Sequence, residues 1–339
     1  MNPGEELIWD NYVSNNEFST PLQFAAWKTI FTKVYDSKTH FLLVEENGAV
    51  TGVLPLLHIK SLIAGNYVTS FPGGLLADDE GSANFLIAHA KNIVKTENAK
   101  YLILRDGRRK WGHSELLTDD EHVNFIIDIH NDLRHVKNQM RSTTRKLLNR
   151  SLRNGLKGEV GWDFQDQFYQ VYAASMHEIG NPTYGKKFFD YMGSIIQDRI
   201  HIVSIHHQGK ILGGGYIAPL NQTMHCLWSG LLRDYYDLNI SHFLYWEVLK
   251  FANRKGCRTV NLGRCQKNSG LYFFKEGFGG RVQPLYQQFY LNGIDQRPPV
   301  GAEMEDDLKY QIFTKIWRLL PIQLTESIGQ RLRKVMPFG

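Results

Sequence analysis

Side chains able to do chemistry gather between Trp228 and Gly280, where Glu247, Arg264, Cys265, Tyr272 and Lys275 stand. Lys275 follows an aromatic run, Tyr272-Phe273-Phe274. A lysine there can stabilise charge that develops on a reacting oxygen, usually the largest catalytic contribution of this kind. Arg264 ends the strand pattern Thr259-Val-Asn-Leu-Gly-Arg, and strand ends are where the sites of α/β folds gather; it can hold a phosphate or carboxylate. Glu247 can act as a base, and Tyr245 and Tyr272 can position a substrate. The competing readings are a surface lysine, ion pairs for Arg264 and Glu247, and core packing for the tyrosines, Tyr245 above all. No serine–histidine–aspartate set is legible, and Cys265 stands as a candidate thiol nucleophile. The cysteines (Cys226, Cys257, Cys265) form neither a pairing pattern nor a zinc spacing, which fits a reducing compartment. The 13 histidines show no metal spacing and His206-His207 reads as a turn, so no metal is expected.

A second set of residues is basic. Arg134, Lys137, Arg141, Arg145, Lys146, Arg150, Arg153 and Lys157 stand without one acidic residue among them, a local charge of +8. Residues 308–339 carry a further +5, leaving −8 on the rest of a chain whose net charge is +5. Patches of one sign imply anionic partners. Arg141, Arg145 and Arg150 suit bidentate contacts to the phosphates of a tRNA end or a lipid-diphosphate sugar; the plain alternative is a solvated helix face.

The elements that must position these residues read as two copies of one unit. Phe41–Pro55 and His201–Tyr216 each show an apolar strand, a turn at Asn47-Gly48 or Gln208-Gly209, and a strand with Gly52 or Gly213 four residues on, a hairpin signature. Helical patterns follow at Ser82–Thr96 and His242–Lys255, then short strands at Tyr101–Arg105 and Thr259–Arg264. The basic segment between the copies predicts one long helix ending at Asn154-Gly155. Past an acidic linker at Glu303–Asp307, Pro321 splits the tail into two short helices whose basic, apolar pattern fits either a membrane surface or the protein's own core. With 339 residues, 42% hydrophobic and 22% charged, the chain suits two globular domains and excludes disorder. No apolar run approaches ~20 residues, and Met1–Glu6 has no secretory pattern.

From Trp228 to Gly280 the order of strand, loop, helix, strand and aromatic-Lys-x-Gly-Phe element resembles the GNAT acyltransferase superfamily. One departure is the loop Leu232–His242, which has no glycine, whereas CoA-binding members cradle a pyrophosphate on a Gly-rich loop at the helix N-terminus. From about Phe18 to the end the chain resembles FemA/FemB-like proteins, in particular those associated with exosortase (PEP-CTERM) exopolysaccharide systems. The matching pieces are Ser70-Phe-Pro-Gly-Gly74, the Arg141–Arg150 helix, Gly180-Asn-Pro-Thr-Tyr184-Gly, Asn239 with Tyr245-Trp246-Glu247, Asn261-Leu-Gly-Arg264, Tyr272-x-x-Lys275 and Trp317-x-Leu-Leu-Pro. Asn261 stands where the pattern usually has an acidic residue, and Cys265 where it has serine.

The resemblance implies an α/β (α+β) fold of tandem GNAT-like domains, with mixed sheets and flanking helices. We expect a first domain over 1–133, a second over 134–295 entered by the basic helix, and a basic amphipathic tail over 296–339. It implies transfer of an acyl or aminoacyl group to an amine of a cell-envelope glycan or peptidoglycan-type precursor. The donor substrate is acyl-CoA or aminoacyl-tRNA, with no tightly bound cofactor. Lys275, Arg264, Tyr272 and Glu247 are then the catalytic candidates. Arg141, Arg145, Arg150, Tyr184, Trp228, Asn239 and Asn261 are the candidates for binding. The expected partners are a small-molecule or glycolipid acceptor, tRNA as one donor, and a membrane surface touched through 308–339, at the cytoplasmic side. Two rivals stand: an acyl-CoA-dependent N-acyltransferase with a degenerate pyrophosphate loop, and a non-catalytic module holding RNA or an anionic glycolipid.

Overall fold

A computed structural model describes residues 1, 4–61, 65–129, 133–299 and 308–335. Its first elements are α1 (Glu6–Asn15), α2 (Ala26–Tyr35), β1 (Lys38–Glu46), β2 (Ala49–Ser61), β3 (Gly65–Ser70), β4 (Leu76–Ala77), α3 (Glu80–Thr96), β5 (Tyr101–Gly107) and β6 (Leu117–Asp128). The chain continues with α4 (Leu133–Gln139), α5 (Ser142–Ser151), β7 (Lys157–Val160), α6 (Gln165–Ile179), α7 (Lys186–Ile196), β8 (His201–His207), β9 (Lys210–Leu220) and β10 (Thr223–Leu231). It closes with α8 (Ile240–Arg254), β11 (Thr259–Gln266), α9 (Gly270–Glu276), β12 (Arg281–Leu291), α10 (Leu308–Leu319) and α11 (Ile322–Val335).

Two compact units emerge. The first comprises Met1–His122, Pro284–Met304 and Arg331–Gly339; the second comprises Val123–Gln283 and Glu305–Gln330. These divisions differ from the sequence boundaries at 133/134 and 295/296. In the first unit β12 pairs antiparallel with β5, Leu291 opposite Tyr101, so the chain returns to a sheet it had left. The acidic linker expected at 303–307 lies outside the described residues.

In the first unit β1 and β2 form a hairpin with Glu46 opposite Ala49. Asn47 (φ 53°) and Gly48 (φ 81°) both take left-handed backbone, the tight turn that matches strand twist. β3 then pairs antiparallel with β2 and parallel with β5. Asp79 caps α3 by accepting from the Ser82 N–H at 2.8 Å. The inward face of α3 (Leu86, Ile87, Ala90, Val94) packs on Leu54, Leu56, Val68 and Leu102.

The second unit repeats this plan. β8 and β9 form a hairpin over Gln208 (φ 49°) and Gly209 (φ 78°). β10 pairs antiparallel with β9 and parallel with β11. α8 packs Phe243, Leu244, Val248 and Leu249 against Ile205, Ile217, Met224 and Val260. α6 approaches the sheet so closely that a Cβ on Gly230 would stand 2.7 Å from the Tyr172 Cα.

The basic segment departs from expectation. Two helices, α4 and α5, replace one long helix, and Arg141 between them is extended (φ −52°, ψ 146°). The Arg141 N–H donates to the Gly277 carbonyl at 2.9 Å. A Cβ on Gly279 would meet the Gln139 carbonyl oxygen at 2.4 Å, and one on Gly277 the Thr144 hydroxyl at 2.3 Å. The helix breaks where the 277–279 segment presses into it, and three successive residues, Ser142, Thr143 and Thr144, give little propensity to resist. His206-His207 belongs to β8 rather than a turn, and β11 runs two residues past Arg264.

Candidate active site

The site is built where a parallel strand pair comes apart. β10 and β11 are in register from Thr223↔Thr259 to His225↔Asn261 and no further. Beyond that point β10 stays with β9 through a register shift between Cys226 and Trp228, while β11 continues alone on that side to Gln266. Carbonyls on the parted stretch of β11 need other donors, because buried backbone polar groups are almost always paired.

Lys275 supplies them. Its Nζ donates to the Gly263 carbonyl at 2.8 Å and to the Arg264 carbonyl at 3.0 Å. α9 carries it inward: the Ser269 Oγ accepts from the Tyr272 N–H at 3.1 Å to cap the helix. Tyr272 and Lys275, three residues apart, share one face, and Leu271 and Phe273 point to solvent. Lys275 is 3% exposed, which overturns the surface-lysine reading. Burial pulls its ammonium down to about 8, against a smaller upward pull from the Cys265 and Cys226 thiols. An ammonium has three donors; two hold β11, and one remains.

Glycine and asparagine set the strand's shape at this point. Gly263 is left-handed (φ 83°), and a Cβ there would approach the Cys226 carbonyl oxygen at 3.2 Å. The Asn261 Oδ1 accepts from the Gly263 N–H at 2.8 Å, so its carboxamide oxygen fixes the bend. Burial pushes the Cys226 thiol up to about 12 and raises Cys265 as well. Cys265 donates to the Val123 carbonyl at 3.8 Å. Both thiols are protonated at neutral pH, which removes the thiolate that a Cys265 nucleophile would need. Tyr245 packs on Phe274 and Phe278 with its hydroxyl 3.5 Å from the Leu262 carbonyl, and burial raises its pKa. Tyr272 sets its ring edge-on to Phe125 at 4.9 Å, and half-buried Arg264 follows Gly263 on β11.

Other candidates fall elsewhere. Glu247 lies two residues past Tyr245 on α8, about 200° around the helix. It is buried against β7, where a Cβ on Gly158 would overlap it at 2.5 Å, and it pairs with Lys250 at 2.6 Å. It therefore does not join Lys275. Tyr184 and Trp228 come together in an aromatic cluster with Phe188 and Tyr216. Asn239 (φ 59°) takes the left-handed hinge between a 3-10 turn at Arg233–Leu238 and α8. The loop that lacks glycine thus uses asparagine where the backbone turns. It carries Asp234 and Asp237, and Arg233 faces Glu178 at 3.9 Å.

On α5 a groove of about 540 Å³ is lined by Ser142, Arg145, Lys146, Asn149, Leu152 and Arg153. Of the three arginines singled out in the sequence only Arg145 lines it, with its guanidinium donating to the Asn138 carbonyl at 3.2 Å. Arg141 forms an ion pair with Glu276, and Arg150 is exposed outside the lining. Lys146 lies four residues from Ser142, Asn149 four from Arg145 and Arg153 four from Asn149, the spacing of neighbours on a helix face, and none of the three was among the binding candidates. Among the described residues no His/Cys/Asp/Glu group could hold a metal ion.

The first unit treats the matching position differently. β3 and β5 are in register at Val68↔Leu102 and Thr69↔Ile103. The Ser70–Gly74 turn then folds back onto β5: Ser70 Oγ accepts from the Arg105 N–H at 2.7 Å, and the Gly73 N–H donates to the Arg105 carbonyl at 3.0 Å. The chain's own turn fills the place that Lys275 occupies in the second unit.

Comparison with known proteins agrees with this geometry. Residues 134–276 match the acetyltransferase (GNAT) domain family. The fold is similar to that of FemX (TM-score 0.66, 15% identity, 86% of this chain and 97% of that one). It is also similar to L-PGS from Bacillus licheniformis (0.57, 12%, 94% and 96%). A third similar structure is a tandem GNAT protein from the clavulanic acid biosynthesis pathway (0.55, 10%, 87% and 97%). No curated protein sequence matches. Two units of one α/β plan, with a buried lysine at the parting strands of the second, thus go with a known domain: residues 134–276 match the acetyltransferase (GNAT) domain family, and the chain has a fold similar to FemX and to a tandem GNAT protein.

Proposed function

We propose that the protein transfers an aminoacyl or acyl group to an amino group of a cell-envelope glycan or peptidoglycan-type precursor. The observation that carries this reading is the parting of β10 from β11 with the Lys275 ammonium between them. The acceptor nitrogen attacks the donor carbonyl, the carbonyl oxygen becomes an oxyanion, and the C–O or C–S bond breaks as the amine's proton passes to the leaving group. The third N–H of Lys275 is the donor available to the oxyanion, in a site dry enough to strengthen it. Arg264 and Tyr272 flank it and position the reactants.

We favour an aminoacyl-tRNA donor. The α8 N-terminus, where a CoA pyrophosphate would sit, is preceded by Asp234 and Asp237 and by no glycine. Those carboxylates repel a diphosphate, whereas the α5 groove presents Arg145, Lys146 and Arg153 to polyanions. The second reading, an acyl-CoA donor, rests on the family match of residues 134–276 to an acetyltransferase domain. A cytoplasmic setting fits the three free cysteines.

The test is mass-spectrometric. The protein is incubated with envelope-precursor amines and, separately, charged tRNAs or acyl-CoAs. An aminoacyl mass increment on the amine, lost in Lys275→Met, is the expected result. An increment from acyl-CoA alone would move the donor to the second reading. No increment from either, with both donors bound, would leave a binding module.

A further inference from the structure

The helix α10 has two apolar faces, and only one of them is used. The docked face belongs to the second unit: Trp317 is buried and stacks on Phe313 at 5.4 Å. Beside it the Tyr310 hydroxyl donates to Asn181 Oδ1 at 3.2 Å, and the Arg318 guanidinium donates to the Ile179 carbonyl at 2.7 Å. At the helical period, Leu308, Ile312, Ile316 and Leu319 fall within an arc of about 80° on the opposite side. They are 68%, 48%, 54% and 84% exposed. A helix that merely docks on its own protein needs one apolar stripe and a polar outer face; here the outer face is apolar too.

The charge around that outer stripe is one-signed. Between Leu308 and Leu319 the sequence has Lys309, Lys315 and Arg318 and no acidic residue, and Lys315 is exposed at the edge of the stripe. Among the described residues no helix is long and apolar enough to cross a membrane. An apolar stripe edged by an exposed lysine instead suits a helix lying in the headgroup plane, its aliphatic side chains below and the Lys315 ammonium on anionic lipid. A second copy of the chain fits less well, since a face paired with itself would set like charges together.

We propose that the outer face of α10 is a docking surface for an anionic lipid bilayer. The proposal goes beyond the transferase reading, because it concerns where the protein sits and not what it transfers. The test is sedimentation of the full-length protein with phosphatidylcholine vesicles, with and without phosphatidylglycerol. Binding should depend on phosphatidylglycerol and weaken with salt. Ile312→Asp/Ile316→Asp should weaken it at least about tenfold by removing buried aliphatic area. Lys315→Ala should weaken it about fivefold, the scale for one cation at such a surface. Both changes spare Trp317, and an unchanged Tm would show the docked face intact. Pelleting that ignores phosphatidylglycerol, no pelleting with either vesicle, or a double variant that binds like the parent overturns the proposal. So does a concentration-dependent dimer that the double variant abolishes without any vesicle binding. No turnover is read, so failure here leaves the transferase reading untouched.

Discussion

Replacing Lys275 with methionine separates its structural work from the catalytic work proposed for it. Two opposed terms set the stability change. Loss of the amine strips the Gly263 and Arg264 carbonyls of their donor, at roughly 1–3 kcal/mol for each buried acceptor left unpaired. It also removes an ammonium whose pKa has fallen from 10.5 to about 8 through burial, a folding penalty of order 3 kcal/mol at pH 7. The variant should therefore fold with stability within about 2 kcal/mol of the parent, while turnover falls about 10²-fold or more, the scale for losing one oxyanion donor. The pH dependence distinguishes the terms. Between pH 8 and 10.5 the unfolded lysine holds its proton more tightly than the folded one, so the parent's stability rises with pH over that window. Below pH 8 the penalty is fully present. Urea titrations at intervals from pH 7 to 10 should show the parent gaining on the variant by up to about 1.4 kcal/mol per pH unit. A stability difference that stays flat across the window would refute the desolvated ammonium, and full turnover in the folded variant would remove Lys275 from the chemistry.

Three further changes test the surroundings. Gly263→Ala puts a side chain at φ 83° and a Cβ 3.2 Å from the Cys226 carbonyl oxygen; it should destabilise by about 1–2 kcal/mol in urea and cut activity more than stability. Lys146→Glu/Arg153→Glu in the α5 groove should weaken tRNA binding and flatten its log–log salt slope by about 0.7 per lost phosphate contact, leaving acyl-CoA binding unchanged; an unaltered slope in filter binding would free the groove of that role. Glu247→Gln breaks the pair with Lys250 and should lower Tm with kcat unaffected, whereas a kcat loss at constant Tm would return Glu247 to the active site.

Much of the frame was legible in the sequence because it is local. Asn47-Gly48 and Gln208-Gly209 dictate their turns from two residues each, and the apolar spacing of Ser82–Thr96 and His242–Lys255 needs no distant partner. Long-range features were not legible. The break between α4 and α5 depends on Gly277 and Gly279, more than a hundred residues downstream of it. β12 joins β5 across a similar gap. Lys275 was legible as a candidate for stabilising charge, but its burial was not, because the two carbonyls it serves are freed only by the parting of β10 from β11. For Glu247 the helical angle from Tyr245 was available, and it points away from the site. Among the basic residues charge alone was the guide, and charge does not say that Glu276 already holds Arg141.

The two units together give a physical reason for placing the proposed chemistry in the second. Both bring a hairpin, an antiparallel third strand and a helix to a parallel fourth strand, and in both the parallel register lasts only two or three residues. Past that point each must satisfy the freed edge of its fourth strand. The first unit does so with backbone and hydroxyl groups of the Ser70–Gly74 turn, so no lysine serves the Arg105 carbonyl there. The second uses a side chain, and a side chain can do what a turn cannot: the Lys275 ammonium spends two hydrogens on the strand and keeps the third. Gly263 lets the Cys226 carbonyl and the ammonium come this close. A duplicated unit that closes one copy with its own loop and the other with a cation needs only that one exchange to turn a structural joint into the oxyanion site proposed for Lys275.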